Sequence, residues 1–89
     1  MERYVKWRDK SFQTTHAPER WVPEAIVDLI EGGTASSQPL LLSLEDAEKV
    51  KRGELVYTTQ AQAKAAAYEM MKRYVWNEWS IPGEKIQEW

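Results

Sequence analysis

The chain has 89 residues, with 12 lysines and arginines against 14 aspartates and glutamates and no cysteine. That length, with 43% hydrophobic and 29% charged residues, predicts one folded domain over 1–89. A net charge of −2 argues against both a globally basic nucleic-acid binder and an acidic nucleic-acid mimic. The missing cysteine excludes disulfide scaffolds, thiolate zinc sites, iron–sulfur clusters and cysteine nucleophiles.

Taken in chain order, Arg3-Tyr4-Val5-Lys6-Trp7-Arg8 alternates with period two. The alternation predicts a strand with Val5 and Trp7 on one face and Tyr4, Lys6 and Arg8 on the other. Asp9-Lys10 reads as a turn into a second strand over Ser11–Thr15, and His16-Ala17-Pro18 breaks the pairing. Pro23 and Glu24 suit a first helical turn, and Val22, Ala25, Ile26, Leu29 and Ile30 recur at helical spacing. They predict a helix that Gly32-Gly33 ends. Thr34-Ala35-Ser36-Ser37-Gln38-Pro39 then reads as a polar connection, a flexible loop near 33–39, and Leu40-Leu41-Leu42 as a short buried strand.

Ser43-Leu44-Glu45-Asp46 has the form of a helix N-cap. Lys49, Lys51 and Arg52 complement the negative end of that short helix, and Gly53 stops it. Glu54–Thr58 is predicted as a strand. Thr59-Gln60-Ala61-Gln62 is a second capping box, opening an alanine-rich helix that runs to about Trp79 before Pro82 forbids continuation. Ala63, Ala66, Ala67, Met70 and Tyr74 make one stripe on it, and Ala61, Ala65, Tyr68, Val75 and Trp79 a second. Two stripes exceed one ordinary core face, so either the tail sandwiches the helix or another chain covers it. The tail over 81–89 has a tight turn and three hydrophobic anchors with which to fold back. The expected fold class is α+β: a three- or four-stranded sheet with helices packed largely on one face and a long C-terminal helix.

For chemistry the sequence offers little. His16 is the only histidine and sits in a Thr/Pro loop without metal-ligand spacing. Glu19, Glu24, Asp28 and Glu31 read as surface carboxylates rather than groups converging on a reacting atom. There is no phosphate-binding loop, dinucleotide fingerprint or nucleophile elbow. We therefore expect no catalysis, no cofactor and no metal. The longest uncharged run, Gly32 to Leu44, is half polar and shorter than the roughly 20 apolar residues of a membrane span. Charges in Met1–Lys6 oppose a signal peptide, so the expectation is a cytoplasmic protein without a membrane partner.

Binding is the better lead. Five tryptophans are many for this length, and Trp76, Trp79 and Trp89 lie within the last fourteen residues. The sequence reading is a small adaptor or inhibitor that binds a protein partner, or a second copy of itself, through Tyr68, Val75, Trp76, Trp79 and Trp89. Charge is also patterned: five basic and three acidic residues in 1–20, none and six in 21–48, six and two in 49–73, one and three in 74–89. Opposite-signed surfaces of this kind steer a protein partner or complement helix ends. The alternative is single-stranded nucleic-acid binding by Tyr4, Lys6, Arg8 and Lys10, where an aromatic ring stacks on a base while cations neutralise phosphates. Edge strands also use such cations to discourage aggregation.

Tyr4-Val5-Lys6-Trp7-Arg8-Asp9-Lys10-Ser11 followed by Arg20-Trp21-Val22-Pro23-Glu24 resembles the strand and Trp-x-Pro-Glu segment of chromodomains. The resemblance covers about a quarter of the chain. The interval from Trp7 to Trp21 is longer than that family's, and nothing after Gly33 corresponds. It implies peptide binding by an aromatic cage, for which Tyr4, Trp7 and Phe12 are the residues to test with a methylated-lysine peptide.

Overall fold

The computed structural model describes residues 2–14 and 20–89. Arg3–Asp9 forms β1, and its period-two pattern buries Val5 and Trp7 on one face. β1 pairs antiparallel with β4 (Glu24–Glu31), setting Val5 against Leu29 and Trp7 against Val27. β4 continues through Gly32-Gly33 into β5 (Thr34–Leu41), its antiparallel hairpin partner. After the long helix, β6 (Ile86–Glu88) returns parallel to β1 on the side away from β4. The result is a four-stranded mixed sheet of order β5-β4-β1-β6. A separate ribbon pairs β2 (Phe12–Gln13) with β3 (Trp21–Val22), Phe12 opposite Val22.

Helix α1 (Leu44–Lys51) starts where the sequence places it, the Ser43 hydroxyl accepting the Asp46 amide at 3.2 Å. It buries none of its residues fully, and Leu44 is 82% exposed. Helix α2 (Gln60–Trp79) is capped by Thr59, whose hydroxyl accepts the Gln62 amide. The Gln62 side chain in turn accepts the Thr58 amide at 2.8 Å. Ala63, Ala67, Met71 and Val75, spaced by four, are its buried line. Of these, Ala67, Met71 and Val75 form one core cluster with Val5, Trp7, Ala25, Val27 and Leu40 of the sheet and with Ile81. Small alanines at the start of the line let the helix approach the sheet, while Tyr68 leans on Trp7 with ring centroids 5.5 Å apart. Ser80, in the left-handed region at φ 54°, stops the helix and turns the tail back.

The α+β class, a four-stranded sheet and the long C-terminal helix agree with the sequence reading, but of the strands in that sheet only β1 lies fully where the reading places one, and several local expectations differ. The segment read as a helix from Pro23 is strand β4. β4 carries apolar residues on both faces, Ala25, Val27 and Leu29 toward α2 and Ile26 and Ile30 on the other, and such a run satisfies helical spacing as well as alternation. Gly32 and Gly33 both have positive φ, 57° and 85°, and make the two-residue hairpin turn rather than a helix stop. The polar segment read as a loop near 33–39 is most of β5, an edge strand exposed at every position except Leu40. Glu54–Thr58 forms no ladder among the described residues, although the Tyr57 carbonyl accepts the Trp21 amide at 2.8 Å. The tail does fold back, yet it extends the sheet as β6 instead of sandwiching α2. His16 and Glu19 lie outside the described residues.

Candidate functional site: the uncovered face of the sheet

Helix α2 covers one face of the sheet. The register fixes what the other face carries: Tyr4, Lys6 and Arg8 from β1; Ile26, Asp28 and Ile30 from β4; Ala35, Ser37, Pro39 and Leu41 from β5; Gln87 from β6. Tyr4 stands against Ile30, Lys6 against Asp28 and Arg8 against Ile26. Arg8, Gln87 and all four β5 residues are exposed, whereas Tyr4, Ile26 and Ile30 are half-buried by their neighbours in the sheet. The two halves of the face differ. The β4–β5 half is apolar around the Asp28–Ser37 pair, and the β1–β6 half is aromatic and cationic.

Trp89 binds the halves together. Its amide donates to the Trp7 carbonyl at 2.9 Å, extending the β6 pairing by one residue, and its ring falls on the uncovered side. There the indole Nε1–H donates to Asp28 Oδ2 at 2.7 Å, while the Ser37 hydroxyl donates to Asp28 Oδ1. Asp28 is only 5% exposed, and both of its oxygens are used, as a buried carboxylate requires. Lys6 Nζ lies 4.5 Å from the Trp89 ring centroid and Arg8 Cζ 5.6 Å from it. Each such contact contributes about 0.5–1 kcal/mol at an exposed site. The ring is thus fixed by a charge-assisted hydrogen bond and two cations, yet Trp89 as a residue remains 56% exposed.

Of the residues proposed from sequence for nucleic acid, Tyr4, Lys6 and Arg8 do share this face, and Lys10 follows at the end of β1, exposed. The set proposed for protein binding is dispersed. Val75 is fully buried in the core. Tyr68 is half-buried on Trp7, and Trp79 half-buried with an edge-on contact to Tyr74 at 5.5 Å. Trp76 is 57% exposed on the far side of α2, near the exposed charges of Glu69, Lys72 and Arg73. Trp89 is on the opposite side of the sheet from all of them. Helical spacing groups Tyr68, Val75 and Trp79 correctly, but as a flank turned toward the core. The chromodomain-like cage does not assemble: Tyr4 and Trp7 occupy opposite faces of β1, Trp7 is buried, and Phe12 belongs to the separate ribbon.

Helical spacing assigns Ile26, Asp28 and Ile30 to a helix and so does not group them on this face. The Gly-Gly pair between two β-capable runs was the signal that would have found them. Elsewhere, a cleft at the start of α2 is lined by Arg8, Asp9, Gln60, Ala61, Lys64 and Glu88. Its charges are matched internally, Lys64 meeting Glu88 at 2.7 Å, and that hydrogen-bonded carboxylate raises the Lys64 ammonium above its usual range. Among the described residues no group of three or more His, Asp or Glu gathers as a metal-holding cluster, and no helix is long and apolar enough to cross a membrane. No protein-family model matches the chain, and neither does any curated protein or solved structure.

Proposed function

We propose that the protein is a non-catalytic docking module of the adaptor or inhibitor type, working in a reducing, cytosol-like compartment, and that its partner is another protein held on the uncovered face of the sheet. The observation that carries this reading is the composition of that face. A solvated sheet face ordinarily alternates to polar residues, but this one presents Tyr4, Ile26, Ile30, Pro39, Leu41 and the Trp89 ring together. Trp89 is already held by Asp28, so docking would order little further side-chain freedom there, the economy that marks binding hot spots. Lys6, Arg8 and Lys10 border the aromatic half, and a matching partner has an apolar centre with carboxylates on that side. The Trp-rich helix is the weaker choice of surface, because Trp79 is half-buried against Tyr74 and Trp89 lies across the sheet, which leaves Trp76 as the largely exposed tryptophan of that helix.

The test is affinity capture from the native host with two variants of equal fold, checked by circular dichroism. Ile30→Glu should release the proteins that the native chain retains, and Trp76→Ala should keep them. Retention by Ile30→Glu with loss in Trp76→Ala would return the surface to α2.

Trp89 beside Lys6 and Arg8 also favours a second reading, single-stranded nucleic acid stacked on that ring. It expects salt-sensitive binding of an oligonucleotide that Lys6→Glu with Arg8→Glu abolishes. An oligonucleotide unshifted by micromolar protein at low salt removes it.

A further inference from the structure

We infer that β5 is a pairing edge, and that its occupant is β5 of a second copy, joined antiparallel across a two-fold axis. This goes beyond the docking face and does not depend on it. The sheet has two free edges, and they are built differently. β6 is three residues long and carries Glu88, which is tied to Lys64, so that edge is short and charged. β5 is eight residues long and lies inside the longest uncharged run of the chain, with no lysine, proline or bulge to blunt its first half. Among the described residues no strand pairs with its outer side.

The hairpin turn sets which groups point outward. With Glu31 and Thr34 closing the two-residue turn as a hydrogen-bonded pair, Ser36, Gln38 and Leu40 bond inward to β4. Ala35 and Ser37 therefore direct their amides and carbonyls away from the sheet, as does the carbonyl of Pro39. Pro39 is tolerated because its missing amide is one that would have pointed out. In an external ladder, though, its ring would press on the incoming strand, so pairing must be centred before it. The register that does this sets Ser36 against Ser36 of the copy and Ala35 against Ser37 in both directions. Pro39 then falls opposite Gly33, a residue without a side chain and with no atom within 4 Å of where one would be.

This register explains why the occupant is a second copy. It brings only uncharged side chains into opposition, small ones at its centre and Thr34 against Gln38 beyond, and satisfies the outward amides of Ala35 and Ser37 reciprocally. The axis is perpendicular to the sheet, so the dimer is one eight-stranded sheet with both helices behind it and both uncovered faces in front. So narrow a contact belongs to the weak, transient class, with a dissociation constant on the order of 100 μM.

Sedimentation velocity across micromolar to about 0.5 mM protein tests it. The expected result is a reversible rise from the 10.4 kDa monomer toward twice that mass. Ser36→Lys places like charges at the axis and should weaken the dimer roughly fivefold. Mixing Ser36→Lys with Ser36→Glu should restore association, which a merely misfolded variant cannot do. Amide hydrogen exchange on the native chain should show Ala35 and Ser37 gaining protection with concentration. A monomer throughout the range overturns the inference, and so does a dimer that ignores Ser36→Lys and leaves those two amides unprotected.

Discussion

Removing the indole donor while keeping an aromatic ring, as in Trp89→Phe, isolates the contact that fixes the docking face. The Trp89–Asp28 bond is 2.7 Å long and its acceptor is a carboxylate 5% exposed, conditions under which a hydrogen bond contributes about 1.5–3 kcal/mol. Because Trp89 is itself 56% exposed, the lower end applies, roughly 1.5 kcal/mol. For a domain of this size that lowers Tm by about 6–12 °C. Phenylalanine retains part of the ring's attraction to Lys6 and Arg8, so the change reports mainly on the donor. The assay is a double-mutant cycle by urea unfolding with Trp89→Phe, Asp28→Ala and the pair. Coupling near 1.5 kcal/mol is expected; a value below about 0.5 kcal/mol, where distant sites already add, would mean that the two residues do not hold each other.

Four further outcomes follow from the packing, the turn and the chain's titrating groups. Met71→Ala should cost about 2–5 kcal/mol and Ala67→Leu about 1–3 kcal/mol, since both positions are fully enclosed between α2 and the sheet. Trp76→Ala should stay within about 0.5 kcal/mol of the native chain by the same unfolding assay, its side chain being mostly solvated. Gly33→Ala meets no atom within 4 Å but must hold φ at +85°, which costs about 1–2 kcal/mol, and Gly33→Asn should cost less. Burial, with the Asp46 charge second, raises the Tyr57 phenol above its ordinary value of 10.0. Its contribution to stability is present below pH 10 and lost as pH climbs through the raised value, so Tyr57→Phe should flatten the alkaline fall of Tm.

How much was legible depended on how local each signal was. Both α-helices were readable because capping is a short-range code: Ser43 and Thr59 each accept an amide three residues on, as their spacing announced. β1 was readable because it is asymmetric, with one buried face and one open face. β4 was not, since Ile26 and Ile30 add apolar residues to the face opposite Ala25, Val27 and Leu29, and such a run carries no period that separates strand from helix. β5 was hidden for the opposite reason: an exposed edge strand needs no hydrophobic pattern, and its proline looks like a breaker until the hairpin register shows which way the missing amide points. The working surface was half legible. Tyr4, Lys6 and Arg8 were grouped by alternation alone, while Trp89 was grouped with Trp76 and Trp79 by nearness in sequence. Only the parallel return of β6 carries Trp89 past α2 to Asp28, and no local pattern encodes that crossing.

The indole Nε1–H signals of the five tryptophans give the most direct test of where a partner docks. In a titration of the 15N-labelled chain with the protein captured from its host, docking on the uncovered sheet face predicts that the Trp89 indole signal moves or broadens first while that of Trp76 stays in place. A Trp76 signal that responds while Trp89 remains unchanged would contradict it.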